Sequence, residues 1–408
     1  MSNVWEEARL NLGKAAKIIN LEPELVNRLS TPMRFTEFTI PVRLDNGGKE
    51  LFTAYRSLHQ DATGPTKDGT RIRPGLTVEE IKALSLFMSI KHAVADIPAG
   101  GGKGGIVADP SKLSDSEYER LVRGFIRRLQ PKGAMVDVPG ADIGTDARAM
   151  AWMLDEYEQI SGFHSPAAIN DKPAALGGSL GGHEATGWGV AQCVHLAAQG
   201  VNLAQGRVAI QGFGQVGSIT ALTLEEKGYQ IIAVSDVFGA VVNKSGLNIK
   251  ALSEHVAKTG QVAGFSGGTA LESSILELDC DILVPAAVQD VITEANAGRI
   301  KATLLVEAAN APISPPADLI LLKAGKTIVP DVVANCGGAI VCDFERTQGL
   351  SNDYWTIQQV KEKLLIRMDR AYSETLSLAK ELNVPMRQAA WAKALTKIRT
   401  AMLWRGWN

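Results

Sequence analysis

The sequence predicts an α/β protein in two domains, and three observations predict it. Strand-forming and helix-forming runs alternate along most of the chain, the pattern of sheets covered by helices. A glycine triplet, Gly212-x-Gly214-x-x-Gly217, stands between an apolar β-forming run and a helical run. The length of 408 residues suits roughly two to three domains, each able to bury a core.

In the first half, residues 3–19 and 22–29 read as helices, the second with Pro23 at an early helical position. Residues 35–44 alternate apolar and polar side chains, Asp45-Asn46-Gly47-Gly48 is a turn signal, and residues 51–58 are the partner strand of a hairpin. Residues 61–74 are rich in turn formers and read as a loop that also carries Lys67, Arg71 and Arg73. Thr77 with Glu80 predicts a capping box opening a helix that runs to about Ala95, with Lys91 near its end. Residues 97–106 then form a loop in which five of ten residues are glycine and Lys103 is the single cation. A short strand (106–108), a helix (114–130), a strand (134–138), a loop (139–146) and a helix (147–160) complete this half.

The second half opens at the glycine-rich residues 177–182, which read as a hinge. A helix (184–199) and a strand (207–211) lead into Gly212-Phe213-Gly214-Gln215-Val216-Gly217, a helix to Gly228 and a strand (230–235) ending in Asp236. Further strands are expected at 280–284, 302–306 and 326–329. Residues 352–407 read as two helices broken near Asn383-Val384-Pro385.

Composition bounds the function. Hydrophobic residues make up 45% and charged residues 21%, ordinary for a soluble globular protein. The net charge of −2 argues against a nucleic-acid partner or a polybasic membrane contact, and no apolar run reaches the roughly 20 residues of a membrane span. The first residues have neither the basic start nor the apolar run of a signal peptide. Cys193, Cys280, Cys336 and Cys342 form no Cys-x-x-Cys pair and have no histidine at zinc spacing. The expectation is no metal and reduced thiols in a cytoplasmic protein.

Two constellations carry chemistry. Around Gly212 the context is that of a dinucleotide-binding, Rossmann-type βαβ unit: strand, glycine turn, helix, then an acidic residue nineteen positions after Gly217. Gly212 permits the tight turn, Gly214 admits the pyrophosphate, and Gly217 lets helix and strand pack. Asp236 would accept from the adenosine ribose, which favours NAD over NADP because a carboxylate repels a 2′-phosphate; Lys244 keeps NADP open. Asp236 also fits as a strand-end turn cap. The second constellation is Lys67, Lys91 and Lys103, spaced 24 and 12 apart. If they converge, mutual repulsion lowers at least one pKa, and an anionic substrate is implied. Asp142, in the loop opening a helix, is either their carboxylate partner or a helix-cap aspartate.

With these motifs stand Gly64-Pro65-Thr66-Lys67, Pro98 to Gly105, Asp142-Ile143-Gly144, Gly178-Ser179-Leu180-Gly181, Glu184-Ala185-Thr186-Gly187, Ala308-Ala309-Asn310 and Pro330-Asp331 with Ala334-Asn335-Cys336-Gly337-Gly338. In this order, over nearly the full length, they resemble the glutamate/leucine/phenylalanine/valine dehydrogenases, and among them the glutamate enzymes most. The resemblance implies reversible oxidative deamination of an L-amino acid to a 2-oxo acid and ammonia, with hydride passing to NAD. It implies that Lys103 polarises the carbonyl and activates water, Asp142 is the general acid/base, Lys91 holds the α-carboxylate and Lys67 the side-chain carboxylate. It also implies that Asn335 lies near the substrate, and Thr186 and Asn310 near the nicotinamide.

The departures from that family pattern matter. His183 stands where the glutamate enzymes usually have arginine, Cys342 where they have serine, and Lys67-Asp68-Gly69 where they have Lys-Gly-Gly. Gly140 and Ala339 are small and are expected to enlarge the side-chain site. Two readings follow: a glutamate enzyme that tolerates these changes, or the same reaction on another amino acid. A non-catalytic nucleotide-binding regulatory protein is the rival from another class; the joint presence of Lys91, Lys103 and Asp142 weighs against it. The domains expected are 1–181 for substrate binding and oligomer contacts, with helices 355–408 packing back on it, and 182–354 for the dinucleotide. A cleft closing about residues 177–182 and a homohexamer are expected by analogy.

Overall fold

A computed structural model describes residues 4–407. The chain divides into two compact units: one reaches Gly182 and includes Ala339–Val360 and the chain from Trp391, and the other comprises His183–Gly338 and Lys361–Ala390.

The first unit begins with α1 (Val4–Ile18) and α2 (Pro23–Leu29); Asn3, the expected first residue of α1, lies outside the described residues. The hairpin β1 (Arg34–Arg43) and β2 (Lys49–Leu58) pairs from Arg34↔Leu58 to Arg43↔Lys49. Next come β3 (Thr66–Ile72), α3 (Val78–Val94), β4 (Gly100–Ile106), α4 (Asp115–Leu129), β5 (Asp137–Ala141) and α5 (Ala147–Ser161). Thr77 accepts from Glu80 N, but Glu80 turns its carboxylate to Arg71 and Arg73, so the expected capping box is only half made.

The sheet order is β1-β2-β4-β3-β5. Two segments expected as loops are therefore inner strands. The glycine-lysine stretch is β4, antiparallel to β2 and parallel to β3, and the 61–74 segment contains β3. The glycines of β4 serve packing, and none has a positive φ. A Cβ on Gly101 would stand 2.1 Å from Ser85 O, and one on Gly105 would stand 2.3 Å from a Leu76 methyl. The missing side chains let α3 lie directly on the strand. The opposite face is covered by α4 and α5, whose Phe125, Leu121, Met150 and Met153 pack on Ile40, Ala54, Ile72 and Ile106. β5 lies three residues later than expected at each end, because it pairs with β3 from Thr66↔Asp137.

The second unit runs α6 (Ala185–Gly200), β6 (Arg207–Gln211), α7 (Gln215–Glu226), β7 (Gln230–Ser235), β8 (Ala240–Val242), α8 (Ile249–Thr259), β9 (Thr269–Ala270), β10 (Ile282–Pro285), α9 (Glu294–Ala297), β11 (Leu304–Val306), α10 (Pro315–Lys323), β12 (Thr327–Val329) and α11 (Asp331–Ala334). Its sheet order is β12-β11-β10-β6-β7-β8-β9. The first five in that order are parallel, and their inner residues are near-continuous Val, Ile, Leu and Ala because both faces are buried. β6 has β7 on one side and β10 on the other, which makes its C-terminal end the topological switch point.

The chain ends in α12 (Gly337–Ser351), α13 (Ile357–Leu382) and α14 (Met386–Trp404), with Asn383 at φ 51° in the break. Unit membership here differs from expectation. Residues 339–354 belong with the first unit, because Glu345 pairs with Lys172 at 2.5 Å and Gln348 donates to Ser179 at 2.9 Å. Residues 361–390 belong with the second: Asp369 accepts from Gln192 at 2.6 Å, and Arg387 pairs with Glu307 at 2.7 Å.

Candidate active site

In the first unit the sheet gathers charge around Lys103. Parallel pairing sets Lys67 opposite Gly101, so alternation along β3 and β4 puts Lys67, Arg71, Gly101 and Lys103 on one face. Lys103 Nζ, buried, stands 2.7 Å from Asp142 Oδ2 and 2.8 Å from Asp68 Oδ2. Asp142 also accepts from Arg71 Nε at 3.1 Å and from its neighbour Ile143 N at 2.8 Å. Arg71 in turn pairs with Glu80 at 2.9 Å.

Lys67 is fully buried, and among the described residues its Nζ has no hydrogen-bond partner. It is close enough to feel Asp68, His92 and Cys342 electrostatically. Lys91 lies half-buried in the last turn of α3. The neighbouring His92 donates from Nδ1 to Gly100 O at 3.0 Å, which leaves Nε2 as a buried acceptor.

Of the three lysines, Lys103 is not one whose pKa is lowered. Burial pulls its pKa down, but the carboxylates of Asp68 and Asp142 outweigh burial and hold it above the ordinary value. The same pairing works in reverse on the acids. Burial raises Asp142 and Asp68, and Lys103 more than offsets this, with Arg71 helping at Asp142 and Lys67 at Asp68, so both stay below the ordinary carboxylate range. Lys103 is therefore a cation paired with two carboxylates in a strand, not the single cation of a loop.

Gly140 does not leave the space expected of it. A Cβ there would stand 2.7 Å from Asp171 Oδ2, so the Asp171 carboxylate already fills the position. Asp171 accepts from Ala141 N at 2.9 Å and from the Cys342 thiol at 2.8 Å. Burial first, and Asp171 next, push the Cys342 thiol well above its usual pKa. Ala339 is half-buried in the first turn of α12, three residues before Cys342. Sequence reasoning missed Asp171 altogether and saw Arg71 only as a loop cation. The period-2 spacing of Lys67, Gly69 and Arg71 was the available signal for a shared face.

In the second unit the glycine motif follows β6. Gly212 has φ 96° and packs against Ala286 and Ala287 after β10. A Cβ on Gly217 would stand 1.8 Å from Gly212 O. Gly214 differs: its φ of −79° suits any residue, and a Cβ there would meet nothing within 4 Å. The protein itself does not require glycine at this exposed position, the N-cap of α7. A ligand approaching the helix N-terminus does, and the cradle therefore fits a dinucleotide pyrophosphate.

Phe213 is buried under the turn, Val216 is half-buried in the first turn of α7, and Gln215 donates to His183 O at 2.8 Å. His183 is exposed just before α6 and belongs to this unit, whereas Lys67 and Cys342 belong to the first. Asp236 accepts from Phe238 N (2.8 Å), Gly239 N (3.1 Å) and Val262 N (2.6 Å), so it does cap the turn after β7. Thr186 lies half-buried in the first turn of α6, its hydroxyl beside Gly338. Asn335 donates to Asn310 Oδ1 at 2.9 Å and to Ala308 O at 3.2 Å, while its own Oδ1 is buried without a partner among the described residues.

Comparison with known proteins adds to this geometry. Residues 32–159 match the family description "Glu/Leu/Phe/Val dehydrogenase, dimerisation domain", and residues 177–406 match "Glutamate/Leucine/Phenylalanine/Valine dehydrogenase". A cryptic catabolic NAD-specific glutamate dehydrogenase of Bacillus subtilis is 40% identical over 99% of this chain and 96% of its own length. An NAD-specific glutamate dehydrogenase of Clostridioides difficile is 39% identical over 99% and 98%. Among solved structures, glutamate dehydrogenase from Peptoniphilus asaccharolyticus superposes with a TM-score of 0.91 at 34% identity over all of both chains. The leucine-bound hetero-hexameric enzyme from Thermus thermophilus gives 0.92 at 32%, over 99% of this chain and 97% of that one.

Proposed function

The chain belongs to the glutamate/leucine/phenylalanine/valine dehydrogenase family, and on that premise we propose that it catalyses the reversible, NAD-dependent oxidative deamination of L-glutamate. Glutamate, NAD and water give 2-oxoglutarate, ammonium, NADH and a proton. The observation that carries the reading is a buried Lys67 amine with no hydrogen-bond partner among the described residues, on the same sheet face as a Lys103 ammonium clamped by Asp142.

Lys67 binds the side-chain carboxylate of glutamate, and Lys91 the α-carboxylate. Cys342 and Ala339, both in the first unit, are the further side-chain-site positions. Asp142, ionised at neutral pH, takes the proton that the substrate ammonium must lose before the C–N bond becomes an iminium. NAD, when bound, accepts the hydride from Cα. Lys103 then serves twice. As an ammonium it polarises the carbonyl oxygen in the aminating direction. After losing its proton it activates the water that hydrolyses the iminium.

The Gly212–Gly217 turn and the α7 N-terminus hold the pyrophosphate, and Asp236 accepts from the ribose with lone pairs its backbone contacts leave. Thr186 and Asn310 border the nicotinamide. Asn335 Oδ1 is left for a donor that the ligand brings. The enzyme works as a homohexamer in the cytoplasm; the hetero-hexameric Thermus relative supports a six-subunit assembly, and four free cysteines support a reducing compartment.

The test is NADH or NADPH formation from glutamate, leucine, phenylalanine, valine and tryptophan, with NAD or NADP respectively, in the wild type and Lys103→Ala. Glutamate with NAD is expected to dominate, and Lys103→Ala to lose turnover while still binding NAD. Preference for an apolar amino acid, or full activity in Lys103→Ala, refutes the reading.

A further inference from the structure

We propose that Asp68 is a positioning residue for the deamination: its carboxylate, turned onto Lys103 by a backbone held at φ 143°, fixes that ammonium beside Asp142. The inference rests on the reading of Lys103 as a catalytic group.

Regular alternation on β3 would send the Asp68 side chain with Thr70 to the sheet face opposite Lys103. It does not go there. The β3–β4 pairing skips from Lys67↔Gly101 to Thr70↔Gly104, and the skipped segment contains the left-handed φ of Asp68. A non-glycine residue in such a region costs about 1–3 kcal/mol and persists only where the surroundings over-determine it. Here the surroundings do. Arg56 Nη1 donates to Asp68 O at 3.0 Å from the far face. The same guanidinium is held on Asp137 at 2.6 and 2.9 Å, and Asp137 is fixed further by Thr66 Oγ1 at 2.9 Å. With its carbonyl tied to Arg56, the residue presents its carboxylate to Lys103.

Two of the three Lys103 N–H bonds are then directed at Asp68 and Asp142, and one remains for a substrate oxygen. The direction of that last donor is set by the two carboxylates together. Asp68 also adds a second negative charge that must be overcome before Lys103 yields a proton. Water activation is thereby pushed to high pH, whereas carbonyl polarisation holds across the neutral range.

The experiment compares Asp68→Asn, which is isosteric and removes the charge, with Asp68→Gly, which also releases the backbone. Wild-type deamination should still be rising with pH where each variant has levelled off. The Lys103 limb should move to lower pH by about one to three units, the shift expected for removing one adjacent opposite charge. Melting checks the fold, and the glycine variant should melt at or above the wild type. Superimposable profiles in folded variants overturn the inference alone, provided wild type and Lys103→Ala behave as stated above. Loss of the melting transition in both variants assigns Asp68 to structure and overturns it too. A wild type that makes no NADH from glutamate overturns both this inference and the reading beneath it.

Discussion

Replacing Lys67 by methionine should move stability and catalysis in opposite directions. The Lys67 side chain is fully buried on β3 and its Nζ has no hydrogen-bond partner among the described residues. An ammonium in that state has lost hydration without full compensation, and exchanging buried charge for an apolar side chain of similar length typically gains about 1–4 kcal/mol. Asp68 attracts Lys67, but it keeps its contact with Lys103 when Lys67 is gone, so the variant creates no new unpaired charge. The ligand-free Lys67→Met protein should therefore resist urea at least as well as the wild type. Its use of glutamate should collapse. Removing one partner of a buried charge pair costs about 2–5 kcal/mol, or roughly 30- to 5,000-fold in kcat/KM. Initial rates of NADH formation against glutamate concentration measure this. Leucine, which brings no side-chain carboxylate, is the control and should lose little. A variant that is less stable than the wild type yet keeps its kcat/KM for glutamate would refute the assignment of Lys67 as the side-chain anchor.

The other predictions concern the cofactor cradle and the buried histidines. Gly214→Ala should leave melting unchanged, since its Cβ meets nothing within 4 Å, while raising the KM for NAD about tenfold or more, a loss of about 1.4 kcal/mol. Gly217→Ala should instead destabilise by about 1–3 kcal/mol, because its Cβ would collide with Gly212 O; equal effects of the two on melting would sink the distinction. Asp236→Ser should raise the NADP-to-NAD ratio of kcat/KM, and an unchanged ratio removes Asp236 as the discriminator. Burial lowers His59 to about 4 and His92 to about 3, below an unfolded value near 6.5. The unfolded chain then binds two more protons, so the stability present above pH 6.5 should fall as pH drops towards 4, by about 2.7 kcal/mol per pH unit at the steepest. Urea midpoints at pH 7, 6 and 5 measure the slope, and a flat series contradicts it.

The elements legible in the sequence were those whose local chemistry agrees with their tertiary setting. β6 and β7 are apolar runs because parallel inner strands are buried on both faces, and the glycine turn between β6 and α7 has its own signature. The hairpin was legible from alternation and from Asp45-Asn46-Gly47-Gly48. β3 and β4 were not. Thr66-Lys67-Asp68-Gly69-Thr70-Arg71-Ile72 and Gly100-Gly101-Gly102-Lys103-Gly104-Gly105-Ile106 carry turn formers and cations, and no apolar alternation. They are strands because neighbours on both sides supply their ladders and α3 needs a surface without side chains. The split of the last helices was illegible for a related reason. Helical periodicity shows which face of α13 is apolar, but Cys336 and Gln192 decide where Met368 and Asp369 go.

The same distinction explains why the direction of the Lys103 shift was not legible from the spacing of the lysines. Three lysines counted along the chain suggest repulsion, because their spacing is visible and their partners are not. In a sheet the partner is chosen by register: β3 lies between β4 and β5, which brings Asp142 at the end of β5 to Lys103, and the irregularity at Asp68 adds a second carboxylate. Charge neutralisation then decides the chemistry. An ammonium stabilised by two carboxylates is a good electrophilic donor and a reluctant base at neutral pH. Asp142, whose carboxylate stays ionised beside Arg71, is unprotonated at neutral pH where Lys103 is not, so on the proposed reading the first proton in the deaminating direction passes to Asp142 and not to Lys103.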